Sequence, residues 1–243
     1  MKALILNSGL GSRMGDITNT HPKCMTEISE NETIVSRQLK LLKKYGINEV
    51  VMTTGYFNEI LQDYCNGLNL GINISFVNNP VYRETNYIYS IYCARELLND
   101  DIILMHGDLV FNENVLENVL KSKESCMTVS STIPLPEKDF KAVIHNGKIE
   151  RVGIEFFDDA LSAQPLYKIN KNDWIVWLNN IISFCENNNR KCYAENAFNE
   201  VSNECIIYPL DVKDELCAEI DNPEDLNRIS NLLKSKEKVY GKR

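Results

Sequence analysis

KALILNSGLGSRM, Lys2–Met14, decides how the rest of the chain is read. A short, mostly apolar run over Lys2–Leu6 meets Asn7-Ser8 and then Gly9 and Gly11, the pattern of a buried strand running into a loop. Working outward, Ile34, Val35, Leu39 and Leu42 recur at helical spacing until Tyr45-Gly46, where glycine supplies a stop. Glu49–Thr54 reads as the next strand, and the alternation repeats: a helix near Asn58–Cys65, a strand at Ile72–Val77, a helix near Tyr87–Leu98 and a strand at Asp101–Met105. Strands separated by helices imply a parallel sheet with right-handed crossovers, hence a doubly wound layer whose ligands sit beyond the strands' carboxyl ends.

The pattern changes after Cys126–Ser131. Lys141–His145 and Lys148–Gly153 flank Asn146-Gly147, a dipeptide favoured in tight hairpins, so this half is expected to be mixed. Trp174, Trp177, Leu178, Ile181, Ile182 and Cys185 form one apolar helical face, and Cys192–Val201 suggests a further helix. Near the end, Asn222 can cap a terminal helix with Pro223 in its first turn, and Lys234–Arg243 read as solvated. One domain over 1–243 is expected: a nucleotide-binding half at 1–131, acceptor-binding insertions at 132–217, and a metal-ligand strand end with the terminal helix at 218–243.

A net charge of −8 opposes the field that nucleic-acid backbones and anionic membranes attract. No apolar run approaches the ~18 residues of a membrane span, and no leader pattern opens the chain, so a cytoplasmic protein is expected. Eight cysteines lie scattered without a C-x-x-C pair and read as buried thiols.

Gly9 and Gly11 let the backbone approach a polyphosphate and aim N–H groups at it, while Arg13 and Lys23 can neutralise phosphate charge. A dinucleotide fingerprint would need a third glycine where Met14 stands, and a P-loop would end in Gly-Lys-Ser/Thr; neither is present. G-x-G-x-R-M with a downstream Pro22-Lys23 resembles the signature of the sugar-nucleotide and phosphoalcohol nucleotidyltransferases. The resemblance implies an α/β, Rossmann-like nucleotidyltransferase fold whose central mixed, mostly parallel sheet is flanked by helices. It also implies Mg2+-dependent transfer of a nucleotidyl group to a phosphate, with pyrophosphate as leaving group. Leu6, Asn7, Ser8, Gly9, Gly11, Ser12 and Gly107 would hold the nucleotide, Lys23 the α and incoming phosphates, and Arg13 the β and γ phosphates. That family usually carries Ala-Ala or Ala-Gly where this chain has Asn7-Ser8.

Asp108 follows strand Asp101–Met105, where the family's metal-binding aspartate sits, and Asp221 lies in a stretch resembling its late E-I-D-x-x-E-D motif. Both are therefore expected to bind Mg2+, with helix capping as the competing role for each. Arg83–Ser90 resembles the Y-R-E-x-N-N-x-x-S stretch of bacterial phosphocholine cytidylyltransferases, and Thr53–Tyr56 their T-G-Y segment. This implies CTP as donor, with Asn86, Ser90 and Thr54 around the cytidine; helix capping by Asn86 competes.

The resemblance implies a small phosphorylated metabolite as acceptor. Tyr193 and Glu195 could form part of an aromatic cage for a quaternary ammonium, although Phe140 stands near where the phosphocholine enzymes place a tryptophan. A zwitterionic amino-acid acceptor would instead want cations and an acid, for which Lys141, Lys168, Arg151 and Glu195 are candidates by composition, with Arg83 added to the acceptor set. The whole chain resembles the CTP:phosphoglutamine cytidylyltransferases of capsular phosphoramidate biosynthesis, which makes L-glutamine phosphate the preferred acceptor and CDP-L-glutamine the product. Phosphocholine, a sugar-1-phosphate enzyme using dTTP or UTP, and a catalytically silent nucleotide-binding regulator remain alternatives. The oligomeric state is not legible in the sequence.

Overall fold

A computed structural model describes residues 1–240; residues 241–243 of the expected solvated tail lie outside the described residues. The first half alternates as its hydrophobic pattern dictates: β1 (Lys2–Asn7), the small hairpin β2 (Glu27–Ser29) and β3 (Glu32–Thr33), α1 (Ile34–Lys44), β4 (Glu49–Thr54), α2 (Asn58–Gly67), β5 (Asn73–Asn78), α3 (Tyr87–Ala94), β6 (Ile102–His106), β7 (Leu109–Phe111), α4 (Glu113–Lys121) and β8 (Cys126–Ser130). The second half adds β9 (Lys141–His145), β10 (Lys148–Gly153), β11 (Ala160–Ile169), α5 (Lys171–Glu186), α6 (Ala194–Val201), β12 (Tyr208–Asp211), β13 (Cys217–Glu219) and α7 (Pro223–Tyr240).

Local chemistry sets the boundaries. Thr33 caps α1 by accepting from Ser36 N at 3.1 Å, Ser36 Oγ accepts in turn from Thr33 N, and Gly46 leaves the helix at φ 77°. The β9–β10 turn has Asn146 and Gly147 both at positive φ, as a two-residue hairpin of this hand requires. The helix expected through Leu98 is α-helical only to Ala94 and tightens into a 3-10 turn over Arg95–Leu97.

The central sheet runs β10-β9-β11-β6-β1-β4-β5, with β8 pairing β11 and β12 pairing β8. β6, β1, β4 and β5 are parallel; β11 is antiparallel to β6, β8 and β9. Alternate residues of each strand face opposite sides. Leu4, Val51 and Leu104 pack with Ile88, Trp174 and Trp177 from α3 and α5, while Ile5, Met52 and Met105 pack with Leu39 and Leu116 from α1 and α4. Each such fully buried Leu or Ile stabilises the fold by roughly 1.5–3 kcal/mol. The indoles also satisfy their N–H groups, Trp174 on Leu98 O and Trp177 on Ala194 O.

β11 joins the halves yet escapes the sequence pattern. Gln164-Pro165 interrupts its alternation, and its ladder to β8 shifts register between Ala163 and Tyr167, where proline has no N–H to give. All eight cysteines are free. No helix among the described residues is long and apolar enough to cross a membrane.

Candidate active site

The loop after β1 crosses the carboxyl ends of β4 and β6. Gly11 has φ 65°, and a Cβ there would come 3.0 Å from Lys23 Cβ, so both conformation and packing call for glycine. Gly107, directly after β6, is required for another reason: a Cβ would lie 1.6 Å from Asn7 Oδ1. The side chain of Asn7, bulkier than the family's usual residue, is thus accommodated by a bare backbone opposite it.

Asp108 and Asp221 meet through a device separate from the main sheet. After β6 the chain turns at Gly107-Asp108 into β7, which pairs antiparallel with β13 so that Glu219 lies opposite Leu109. Ile220 N donates to Asp108 O at 3.1 Å, locking the two carboxylate-bearing turns together. Buried Gln38 of α1 pins the turn by donating to His106 O and Leu109 O at 2.9 and 2.8 Å.

Lys23 Nζ sits between the carboxylates, 2.6 Å from Asp108 and 2.7 Å from Asp221, and Arg13 Nη2 reaches Asp221 at 2.9 Å. Burial works to lower the pKa of Lys23, but Asp108 and Asp221 more than offset it and hold the ammonium above its ordinary value. Asp108 is the mirror case: burial alone would raise it, and Lys23, then His106, bring it below the usual carboxylate range. Neither aspartate serves mainly as a helix cap. Asn222 accepts from Asp225 N at the start of α7, and Asn112 occupies the cap position of α4.

His106 Nδ1 bonds Glu219 Oε1 at 2.8 Å, while its Nε2 is buried without a partner among the described residues. Burial opposes protonation, yet Glu219 lifts the imidazole to about 9. Burial and the facing Asp108 raise Glu219 in turn.

Three cavities adjoin, and Asp108 lines all of them. The first, about 280 Å³, is walled by Leu6, Asn7, Gly9, Gly11, Ser12, Arg13, Lys23, Gly107 and Asp221. The second, about 180 Å³, is lined by Ser8, Asn79, Tyr82, Thr85, Asn86 and Tyr87 among others. The third, about 170 Å³, lies between Tyr87, Phe140 and Tyr193 with Lys138, Asp139 and Glu219 at its wall. Rings pack edge to face around it, Phe140 on Tyr193 at 5.0 Å and Tyr87 on His106 at 4.9 Å.

Several expected residues lie elsewhere. Lys168 is buried near the amino end of β6, opposite Ile103, and donates to Ser122 O at 2.5 Å, so the antiparallel run of β11 keeps it at the end of the sheet away from Asp108. Lys141 is fully buried, donating to Pro136 O and lying over the Phe157 ring at 4.0 Å; it braces the loop that carries Asp139 instead of facing a ligand. Arg83 is exposed and stacks on Tyr82 and Tyr56 at the rim of the second cavity, not the third. Arg151 lies over Phe156 at 4.7 Å and lines none of the three cavities. Thr54 is buried and donates to Asn58 Oδ1, anchoring α2. Asn86 caps α3 through Tyr87 N and lines the second cavity as well. Glu195 stands behind the wall of the third cavity, accepting from the hydroxyls of Tyr87 and Tyr167. Gln38, Asn79 and Tyr82 carry no motif of their own, whereas His106 stood in the open beside Gly107-Asp108.

The two aspartates converge on one cation, and the ligand atoms of His106, Asp108 and Glu219 lie within 4.8 Å of one another. A carboxylate-rich set around a displaceable ammonium fits a hard divalent ion.

Several known proteins resemble the chain. The chain is 31% identical over 135 residues to the CTP:phosphoglutamine cytidylyltransferase of Campylobacter jejuni, a match covering 53% of this chain and 52% of that one, so the likeness spans about half the relative's length. It is 28% identical over 243 residues to the choline-phosphate cytidylyltransferase of Haemophilus influenzae, covering 98% and 100% of the two chains. The solved CTP:phosphocholine cytidylyltransferase of Streptococcus pneumoniae superposes with a TM-score of 0.76 over 96% of this chain and 98% of that one; at 19% identity this likeness speaks for the fold. Residues 3–135, more than half of the chain, match the family of the MobA-like NTP transferase domain, and the chain belongs to that family.

Proposed function

We propose that the chain is a cytidylyltransferase that moves CMP from CTP onto the phosphate of a small metabolite and releases pyrophosphate. The observation that carries this reading is the meeting of three cavities at Asp108, with Lys23 and Arg13 beside it. The glycine loop, Arg13 and Lys23 suit the polyphosphate, the polar second cavity suits the nucleoside, and the third, on the far side of Asp108, suits the acceptor.

In the transfer an oxygen of the acceptor phosphate forms a bond to the α-phosphorus while the bond from that phosphorus to the β-bridging oxygen breaks. The acceptor phosphate is already anionic near neutral pH, so no side chain has to remove a proton; positioning and charge neutralisation suffice. Lys23 turns from the aspartates to the α and incoming phosphates, and Arg13 takes the β and γ oxygens, where charge grows as pyrophosphate departs. Asp108 and Asp221 would hold Mg2+, which supplies further neutralisation of the polyphosphate when bound.

The third cavity combines rings with the carboxylates of Asp139 and Glu219, a surface suited to an ammonium group. L-Glutamine phosphate fits if its amino group meets these acids and its carboxylate meets Lys138, which takes over the role expected of Lys141 and Lys168. Phosphocholine is the second reading, favoured by Tyr87, Phe140 and Tyr193. Pyrophosphate release measured with Mg2+, each common NTP and each of L-glutamine phosphate, phosphocholine and glucose 1-phosphate tests both. CTP with L-glutamine phosphate is the expected productive pair; turnover only with a sugar phosphate would contradict the reading.

A further inference from the structure

Asn79, immediately after β5 and 1% exposed, holds a hydrogen-bond chain that ends at the second cavity. Its Oδ1 accepts from Val81 N at 3.0 Å; because a backbone N–H can only donate, the amide's orientation is fixed. Both Nδ2 protons are then committed, one to Thr85 Oγ1 and one to Ser90 Oγ, each at 3.0 Å. Thr85 spends its own proton on Val81 O. Ser90 is fully buried, and its remaining neighbour is Ser8 Oγ at 2.6 Å. With one lone pair filled by Asn79 and no other acceptor in reach among the described residues, Ser90 donates to Ser8. Ser8 is the member of the pair that lines the cavity, so the proton left over is its own.

We propose that Asn79 is a positioning residue for base selection: by donating to Ser90 it sets the direction of the Ser90–Ser8 pair, so that Ser8 offers the cavity a hydroxyl donor. Both pyrimidines present O2 as an acceptor, but N3 is an acceptor in cytosine and a donor in uracil. Because Ser90 spends its proton on Ser8, Ser8 keeps a proton that can meet cytosine N3; with the pair reversed Ser8 could only accept, which suits the N3–H of uracil and leaves cytosine N3 unpaired. The inference rests on the reading of the chain as a CTP-using enzyme.

Asn79→Asp reverses the chain with little change of shape. In its ionised form the carboxylate that replaces the amide keeps an acceptor for Val81 N but takes the protons of Ser90 and Thr85, so Ser8 must donate to Ser90 and no proton is left for the base. The test is kcat/KM for CTP and for UTP, with one acceptor, in the wild type, N79D and S8A. The ratio is expected to fall by about tenfold or more in both variants, the loss being on CTP. Damage to the fold alone would lower both nucleotides together. A folded N79D whose ratio stays within about twofold of wild type overturns the proposal, and if N79D does not fold, the same result in S8A overturns it. A wild type that uses UTP as well as CTP contradicts the functional reading itself and removes this inference with it.

Discussion

Lys23 is the counter-ion of two aspartates, and in the proposed reaction the same ammonium would yield its place to a metal ion and bind the reacting phosphates. Lys23→Ala is expected to lower kcat by roughly 10²–10³. It should also lower the thermal midpoint of the metal-free protein, since two facing carboxylates lose their common cation, and Mg2+ should restore much of that loss; melts with and without Mg2+ check this, and a variant with wild-type turnover would refute the role. His106 makes a pH prediction. Its folded value, about 9, stands above the ordinary 6.5, so its stabilising contribution is complete below 6.5 and disappears as pH rises through about 9. Metal-free wild type should therefore lose an advantage on the order of 3 kcal/mol over His106→Asn across that window, read from denaturant melts at each pH. That Arg13, Lys23, Asp108 and Asp221 belong together was expected from the glycine loop, a strand end and a late motif, and the structure brings the four side chains into contact. Lys141 and Lys168 were not legible, since composition cannot tell an ammonium spent on carbonyls from one facing a ligand.

At the scale of elements, the site depends on the turn between β6 and β7 and on the ladder that β7 makes with β13. Gln38 holds that turn from α1 through two carbonyls. Gln38→Leu should cost about 1–3 kcal/mol by leaving both carbonyls unpaired, and should weaken kcat more than CTP binding because Asp108 loses its bearing; chemical denaturation and steady-state kinetics measure the two effects. The parallel half was readable because its apolar runs alternate with helical periods. β7 and β13 are three-residue strands, too short to show a period, so the small ladder that brings Asp108 and Asp221 together left no signal in the sequence. β11 was hidden by Gln164-Pro165, which breaks its alternation where its register shifts.

For the whole molecule, the antiparallel β11 lets the second half share one sheet with the first and wall the third cavity with Phe140 and Tyr193, while sending Lys168 to the opposite end. Lys168→Gln should accordingly leave the acceptor KM unchanged within about twofold, in contrast to Tyr193→Ala, which should raise it by about tenfold through the lost ring. The acceptor is the least legible feature because the third cavity, its proposed place, is assembled from side chains of distant segments. The most direct measurement is product analysis by mass spectrometry after incubating wild type and Asp108→Asn with CTP, Mg2+ and L-glutamine phosphate or phosphocholine. A CDP-linked product formed one for one with pyrophosphate by the wild type, and lost in the variant, is the predicted result. Undiminished product in the variant, or none from CTP with either acceptor, would contradict CMP transfer at the junction of the three cavities.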